Sequence, residues 1–461
     1  MLRLDAGQLD TLWETLLPEA VRVLPADLAR ADQLLADAAL LEPFRAHWQT
    51  SCPAGLVDGR PTIPMQTYLR LMLLKHRCGW GYETLVREVA DSIHLRRFCL
   101  IPLHARVPDE STVRKLTRRL GPELTDALIR SVIALAVRER RFRARALRVD
   151  STVVEADIRY PTDAGLCADA VRRITRAARR LQAAVPAADA HVRDRSRAVG
   201  RRLRALGRTL TRRTGVAKRS VQRITADVAA QVRATIREAR ALVAQARRSR
   251  APARTKATRE LERVTALAGR VVEQIRQRFA GEKIEHRLVS LSDTDARPIR
   301  RGKLAQPTEF GYVVQLAELT AHTRRRARGF LLPPKLRAGS AHENTLLPET
   351  AAELVDLQLR PREASFDAGF GTVATPATMG SVNPAIELFI AGNPANAGSR
   401  RTRRRRACYR VGCEGRIAHL KREYGAGRSR LKGETGARIW AGWAAFAYDL
   451  DTAAALPRNT S

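Results

Sequence analysis

The sequence predicts an α/β domain that a long helical segment interrupts and that an all-helical region precedes. Apolar residues recur at helical spacing over residues 1–140, and short runs of β-branched residues occur in 141–163 and in 284–461. Between these runs, residues 164–283 are rich in Arg and Ala, with almost no aromatic side chains. Because hydrophobic periodicity is the main sequence signal of helices and strands, we predict three parts with these boundaries.

The charge of the chain indicates its class of partner. Its 461 residues include 83 Lys and Arg against 47 Asp and Glu, which gives a net charge of +36. Such an excess favours nucleic acid or an anionic membrane. No apolar run of about 18 residues occurs, and the start MLRLDAGQLD lacks a signal-peptide core. We therefore expect a cytoplasmic, nucleoid-associated protein. Aromatic residues make up only 5%, which favours duplex DNA over stacking on single strands.

The N-terminal region is expected to consist of short helices. In PMQTYLRLMLLKHRCGWGYETLVREVA, a break at Gly79–Gly81 separates two amphipathic stretches. In PDESTVRKLTRRLG, Ser111 or Thr112 is the expected N-cap. Short basic helices suit DNA binding, and they also suit any small helical bundle. The predicted apolar-face positions are Tyr68, Leu71, Leu74, Leu85, Val89, Leu116 and Leu120.

The Arg-rich segment 164–283 is predicted to form a helical hairpin or a three-helix arm with a narrow apolar seam. Its outer face is either a solvated surface or a face that contacts DNA. The seam positions are Val192, Val199, Leu203, Leu206, Leu210, Val221, Ile224, Val228, Val232, Leu261, Val264, Val271, Ile275 and Phe279.

Strands are predicted on both sides of that segment. The first is ALRVDSTVV, Ala146–Val154, and the later ones lie in HRLVSLSDTD, EFGYVVQLAELTAH, REASFDAGFG and AIELFIAGNP. SAHENTLLPETAAEL is expected to be a helix in which Ser340 and Glu343 form a capping box. YRVGCEGRIAHLKREYG and ARIWAGWAAFAYDL are the two predicted C-terminal helices.

Three acidic residues are not explained by packing alone. Asp150 lies in the C-terminal part of the first predicted strand, Asp367 lies at the end of a second, and Glu414 lies on a basic helix with Arg410 and Lys421 on its face. Carboxylates at strand ends of an α/β fold point into the crevice where ligands bind. Oxygen-only ligation by two Asp and one Glu suits Mg²⁺ or Mn²⁺, which activate phosphodiester chemistry. Each carboxylate alone would more simply be a turn cap or an ion-pair partner.

The cysteines leave one alternative metal site. Cys408, Cys413 and His419 fall close together, but no second ligand pair accompanies them, and the six cysteines include no C-x-x-C pair. Free, mostly buried thiols in a reducing compartment are the simpler interpretation.

Several blocks resemble insertion-sequence transposases with a DDE catalytic core, of the ISNCY type and related to the IS-5-like and IS-1182-like enzymes. LRVDSTVVEADIRYPTDAGL is similar to the block of the first Asp, SFDAGFG to that of the second, and RVGCEGRIAHLKREYGAGRSRLKG to the Glu block. PTIPMQTYLRLMLLKHRCGWGYETL resembles the helical domain before the core. The spacing Arg410-x3-Glu414-x6-Lys421 matches a broader transposase signature, which has Tyr where this chain has Ala407; Tyr409 lies nearby.

The resemblance implies an RNase H-like core in which Asp150, Asp367 and Glu414 form the catalytic, metal-binding triad. They are separated by 217 and 47 residues, and the first interval is long because the helical segment intervenes. Glu155, Asp157 and Asp163 are alternatives, and the first and last are assigned turn or supporting roles. The expected DNA-binding residues are Arg410, Lys421, Arg403, Arg404, Arg405, Arg428 and Lys432.

The function that the resemblance implies is cleavage at the ends of a mobile element and strand transfer into target DNA. The N-terminal helices would recognise terminal inverted repeats, and at least a dimer is expected because two ends must be paired. The main alternative is a non-catalytic or domesticated DNA-binding protein derived from a transposase. A structure-specific nuclease with the same fold is a weaker one, which joined products would exclude.

Overall fold

A computed structural model describes residues 1–7, 16–186, 188–210, 214–248, 254–300, 308–339 and 342–457. The chain divides into two compact units. Met1–Asp157 and Tyr312–Ser461 form one, called here the sheet unit. Ile158–Gly311 forms the other, called here the bundle unit, and it contains all of residues 164–283.

Short helices make up the first part of the sheet unit, as the periodicity predicts. The predicted positions Tyr68, Leu71, Leu74, Leu85 and Val89 are all buried. The helices are α1 (Glu19–Arg22), α2 (Ala26–Leu35), α3 (Glu42–Ser51), α4 (Met65–Arg77), α5 (Tyr82–Asp91), α6 (Ile93–Phe98) and α7 (Glu110–Glu139), with 3₁₀ turns at Ala38–Leu40 and Pro53–Leu56.

Helix α7 begins earlier than the sequence predicted. The N-cap at Ser111 or Thr112 is wrong, because Asp109 is the N-cap residue. The backbone amides of Thr112 and Val113 both donate to the Asp109 carbonyl, so the residues expected to cap already lie in the first turn. The helix kinks at Gly121, whose φ of 71° lies in the left-handed region.

The centre of the sheet unit is β1 (Ala146–Ala156), which confirms and extends the first predicted strand. It pairs in parallel with β6 (Glu363–Phe366), and β6 pairs in parallel with β7 (Glu387–Ile390). On the other side β1 lies beside β3 (Thr308–Thr320). The short strands β4 (Phe330–Leu331) and β5 (Lys335–Ala338) pair antiparallel with β3, and β8 (Arg428–Ser429) pairs in parallel with β1. The sheet is therefore mixed.

Helices follow the later strands. A 3₁₀ turn at Glu343–Leu346 leads into α12 (Leu347–Asp356), while Ser340 and the Glu343 side chain of the predicted capping box lie outside the described residues. The others are α13 (Ala374–Gly380), α14 (Arg400–Glu423) and α15 (Gly433–Ala455). Helix α15 packs against α4 and α7, and α14 packs against β1 and β6.

The bundle unit contains α8 (Asp163–Ala184), α9 (Ser196–Leu210), α10 (Gly215–Ala246) and α11 (Arg254–Ala280). Helices α8, α10 and α11 pack on one another, and their apolar side chains form one core. The predicted seam residues Val199, Val228 and Val271 lie in that core. Phe279 does not, since 45% of it is exposed. Helix α8 adds a fourth element, so this is a bundle and not a hairpin or three-helix arm.

The strand predicted over HRLVSLSDTD is wrong, because residues 286–295 are irregular. Ser290 Oγ accepts hydrogen bonds from the Ser292 and Asp293 amides, and Asp293 Oδ1 accepts one from the Ala296 amide. Such local bonds offer the backbone an alternative to strand pairing. Strand β2 (Arg297–Arg300) begins only afterwards and pairs antiparallel with residues 308–311.

In the described part of the chain, no helix is both long and apolar enough to cross a membrane.

Candidate active site

Asp150 and Asp367 lie side by side on neighbouring strands. In the parallel pairing of β1 with β6, Val149 is the partner of Phe366, and each aspartate is the next residue. Asp367 keeps an extended backbone, with φ −75° and ψ 167°. Residues at one level of adjacent parallel strands project from the same face of a sheet. The structure therefore brings together the two aspartates that the sequence singled out.

Glu414 approaches the same region from α14, the helix that packs on β1 and β6. Arg410, one turn earlier, joins the acidic residues. Its Nη1 lies 3.1 Å from Asp367 Oδ1 and its Nη2 lies 3.1 Å from Glu414 Oε1. The Glu414 side chain is 59% exposed, whereas the Arg410 side chain is only 15% exposed. The guanidinium thus neutralises one carboxylate from the sheet and one from the helix.

Asp150 is the buried member of the group, with 8% of its surface exposed. Its Oδ1 accepts a hydrogen bond from the Ser151 amide at 2.7 Å. Burial raises the pKa of the Cys413 thiol well above its usual value, and the Asp150 carboxylate adds to that shift. The charge of Asp150 therefore acts on Cys413, the residue of α14 that precedes Glu414.

The donor set fits a divalent cation in its chemistry. Three carboxylates offer the oxygen ligands that Mg²⁺ and Mn²⁺ prefer. Within the described ranges, however, no group of three or more His, Cys, Asp or Glu side chains is arranged to hold a metal ion. In this structure the Arg410 guanidinium lies between the Asp367 and Glu414 carboxylates and forms an ion pair with each.

Arginines at the start of α14 form a basic groove. Arg403 and Arg404 are exposed. Together with Arg400, Arg401 and Arg325 they line a groove with a volume of about 1140 Å³. Arg405 also lines it, but its Nη2 lies 2.9 Å from Glu363 Oε2. These positions match the expected DNA contacts in charge and exposure.

The other basic residues lie near the end of α14. Lys421 and Arg428 line a separate cavity. Arg428 Nη2 lies 2.7 Å from Glu155 Oε2, which gives that glutamate an ion-pair role. Lys432 is exposed and is the N-cap residue of α15.

The two other alternative carboxylates are Asp157 and Asp163. Asp157 is exposed. Asp163 is buried at the start of α8, where its carboxylate lies 2.7 Å from Arg278 Nη1 and 3.2 Å from Arg287 Nη2. The structure thus pairs Asp163 within the bundle unit.

All six cysteines are free, as predicted, but only Cys99, Cys167 and Cys413 are buried, so the thiols are not mostly buried. Cys408 is exposed on α14 while Cys413 is buried. His419 does not complete a metal site with them, because the described residues contain no group of three or more metal-binding side chains.

A buried charge network supports the site, and the sequence did not predict it. Arg148 Nε and Nη2 lie 2.8 and 2.5 Å from Glu318 Oε2, and both side chains are almost fully buried. Arg416 Nε lies 3.1 Å from Glu318 Oε1. Arg148 Nη1 also donates to the Tyr409 carbonyl of α14 at 3.0 Å. Because Arg148 and Asp150 alternate with Val149 on β1, both project toward α14. The sequence feature that could have indicated this network is Arg148, a charged residue inside a strand that was predicted to be buried.

Tyr409 is a buried residue of α14. It is 1% exposed, and its hydroxyl lies 2.7 Å from Thr320 Oγ1. Burial raises its pKa well above the usual value. Tyr409 therefore belongs to the core beneath α14, whereas Ala407 lines the basic groove.

The family match among the comparisons with known proteins lies in the N-terminal part. Residues 19–119 match the family model described as "Transposase domain (DUF772)", which supports a place in a transposase family. The match spans α1 through the first part of α7 and does not reach Asp150. A stretch of 127 residues is 27% identical to "Uncharacterized protein ORF8 in nfe locus" of Rhizobium meliloti. That alignment covers 26% of this chain and 61% of the relative, so the chain spans about three fifths of the relative's length. No solved structure matches.

Proposed function

We propose that this protein is a DNA transposase of an insertion sequence, with an RNase H-like core and a DDE active site. One observation carries the proposal: Asp150 and Asp367 occupy the same level of adjacent parallel strands, and Arg410 links Asp367 to Glu414 on the helix that packs there. The match of residues 19–119 to a transposase domain supports the same class and makes DNA the general partner.

Asp150, Asp367 and Glu414 are the residues that would hold Mg²⁺ or Mn²⁺. Such a cation, when bound, activates a water or 3′-hydroxyl and stabilises charge on the leaving oxygen. Arg410 forms an ion pair with Asp367 and with Glu414, and its guanidinium would contact a phosphate bound at this site. The arginines of the groove would neutralise further phosphates. The reaction needs two element ends, so a dimer on DNA belongs to the proposal.

The test is strand transfer of a labelled, repeat-ended duplex in Mg²⁺ at low salt. Wild type is compared with Asp150→Asn and Glu414→Gln, and Glu423→Gln on the same helix is the matched control. We expect joined product from wild type and the control only. Activity that survives either substitution at the proposed ligands would show that the metal site is placed wrongly.

A second candidate is a DNA-binding protein without catalysis. The ion pairs of Arg410 with two of the three carboxylates favour it, because they neutralise the proposed ligands. Equal duplex binding by all four proteins, with no cleavage or joining by any, would establish this alternative. Cleavage without joined product would indicate a nuclease.

A further inference from the structure

The sheet unit contains a cavity of about 400 Å³ that lies outside the proposed DDE triad, although two of the expected DNA-binding residues, Lys421 and Arg428, line it. Lys75 of α4, Lys421 of α14 and Trp440 of α15 line it, together with Glu155, Arg428 and Arg430. Asp150, Asp367 and Glu414 are not among its lining residues. A water molecule takes about 30 Å³ of liquid volume, so a group much larger than one water fits inside.

Lys75 is the innermost charge of this cavity, and only 1% of it is exposed. Its Nζ lies 3.8 Å from the centroid of the Trp440 ring and 4.8 Å from that of Tyr82. The His76 Nε2 atom lies 3.5 Å away. In the described part of the chain, no carboxylate forms an ion pair with Lys75. Burying an ammonium group without an anion is costly, and the aromatic faces offset only part of that cost.

The other groups at the cavity increase the positive charge. Arg430 lines the cavity, and its Nη1 lies 2.9 Å from the position that a Cβ on Gly81 would take. The lining residues include four cations, Lys75, Lys421, Arg428 and Arg430, and the carboxylate of Glu155, which pairs with Arg428. The cavity therefore carries an excess of positive charge on a partly aromatic wall.

A purely structural role for Lys75 explains fewer of these facts. A lysine that only stacks on Trp440 and Tyr82 needs neither an open volume next to it nor further cations on the same wall. An anion in the cavity would supply the counter-charge that Lys75 lacks.

We propose that this cavity binds a phosphate ester and that Lys75 is its innermost donor. The ester is a backbone phosphate of DNA or a free nucleotide phosphate. Identification of DNA as the source depends on the proposed function, whereas phosphate binding itself does not.

Binding should be linked to protonation of Lys75. Burial, followed by the charge of Arg430, lowers the pKa of Lys75 to about 7. His76 is neutral, because burial lowers its pKa well below the usual value, and its Nδ1 lies 3.4 Å from the Tyr424 carbonyl. The charged or titratable groups that face Lys75 are His76, Tyr82, Tyr424, Glu155, Lys421, Arg428 and Arg430. A bound phosphate raises the pKa of Lys75, so affinity should fall as the pH rises above about 7.

The test uses a dinucleotide with one phosphodiester, whose charge is constant over the range studied. Its affinity is measured by calorimetry with the full chain at about pH 6 and about pH 9. We expect binding to weaken by at least roughly tenfold at the higher pH, since an increase of one pKa unit on binding corresponds to that factor. Lys75→Met should bind weakly at both pH values. Lys283→Met, at an exposed lysine, should behave as wild type.

Phosphodiester binding that Lys75→Met leaves unchanged, or no binding by wild type, would overturn the proposal. Arg430→Gln provides a second test if Lys75→Met fails to fold, with an expected loss of roughly threefold to tenfold. Competition between the dinucleotide and a duplex identifies DNA as the source, and binding without competition identifies a free nucleotide. Each binding measurement is repeated in Asp150→Asn, so that absence of strand transfer and absence of phosphate binding are separate results.

Discussion

The bundle unit (Ile158–Gly311) contains 37 Lys and Arg and 14 Asp and Glu, which gives it a net charge of +23. The other 307 residues contain 46 Lys and Arg and 33 Asp and Glu. The sheet unit also buries several of its arginines. Arg70, Arg148 and Arg406 are each 2% exposed, and each is paired with a carboxylate. Ion pairs of the bundle unit lie more often on the exposed surface of its helices, as with Arg263–Glu260 and Arg276–Glu273 of α11.

Arginine side chains therefore have different roles in the two units. Buried pairs in the sheet unit have few alternative partners, so they fix the positions of α14 and the strands below it. Exposed pairs contribute little to folding, and the excess positive charge around them is available to a polyanion. Matched substitutions in the two units would test this contrast.

The largest effect is expected at the acidic residues of the sheet unit. Asp367→Asn should lower strand transfer by roughly a thousandfold, because a charged oxygen at the proposed site is lost. Glu260→Gln in the bundle unit is the matched change at an exposed, ion-paired carboxylate and should leave the rate unchanged. Equal losses from both variants would remove the functional distinction between the units.

Glu318→Gln should lower the free energy of unfolding of the sheet unit by roughly 3–5 kcal/mol, because Arg148 and Arg416 would keep buried charge without a partner. All five tryptophans belong to the sheet unit, so tryptophan fluorescence during urea unfolding reports on that unit alone.

The corresponding change in the bundle unit is Glu238→Gln, which breaks the partly exposed pair with Arg195. Followed by circular dichroism, it should cost below about 1 kcal/mol. A larger loss than that of Glu318→Gln would contradict the contrast between buried and exposed pairs.

Lys75 should make the sheet unit more stable as the pH rises from about 7 to about 10. Its pKa is lowered in the folded chain, so in this window the unfolded chain binds a proton that the folded chain does not. The gain should approach about 4 kcal/mol at most, at about 1.4 kcal/mol for each unit of pKa difference. Urea unfolding in phosphate-free buffers measures it, and Lys75→Met should remove this part of the slope. An identical slope in Lys75→Met would contradict the assignment to Lys75.

Exposed arginines should determine how duplex binding depends on salt. In α10, Arg223, Arg233, Arg237 and Arg240 are exposed, and in α14 Arg400, Arg401, Arg403 and Arg404 line the groove or its edge. Replacing either set by Gln should reduce the slope of log affinity against log salt by about 0.9 for each DNA phosphate that the protein no longer neutralises. An unchanged slope for the α10 set would mean that the charge of the bundle unit faces solvent or another subunit.

Two helical glycines give a last comparison of the two units. A side chain at Gly412 of α14 would overlap the Arg148 guanidinium, so Gly412→Ala should destabilise the sheet unit by roughly 2 kcal/mol. Gly269 of α11 has open space where a Cβ would lie, so Gly269→Ala should stabilise the bundle unit by roughly 0.8 kcal/mol. Thermal unfolding distinguishes the two, and a stabilising Gly412→Ala would contradict the close packing of Arg148.

The parts of the fold that the sequence predicted are those with local signals. The period of β-branched residues located β1, but Asp150 lies in the middle of that strand and not in its C-terminal part. The two aspartates were predicted to face one crevice, and the register of β1 with β6 places them at one level. Pairing of Arg148 with Glu318, across 170 residues, has no local signal. The same holds for Lys75, whose cavity requires Arg428, Arg430 and Trp440 from the other end of the chain.

The connection between β1 and β6 has a consequence for synthesis of the chain. Ala146 pairs with Glu363, so β1 leaves the ribosome 217 residues before its parallel partner exists. At about 5–20 residues per second, the delay is roughly 10–40 s. The bundle unit lies between them in sequence and is built from local helical contacts, so it folds during this interval. Until β6 is synthesised, one edge of β1 has no parallel partner, so we expect the unfinished chain to be prone to aggregation at this strand.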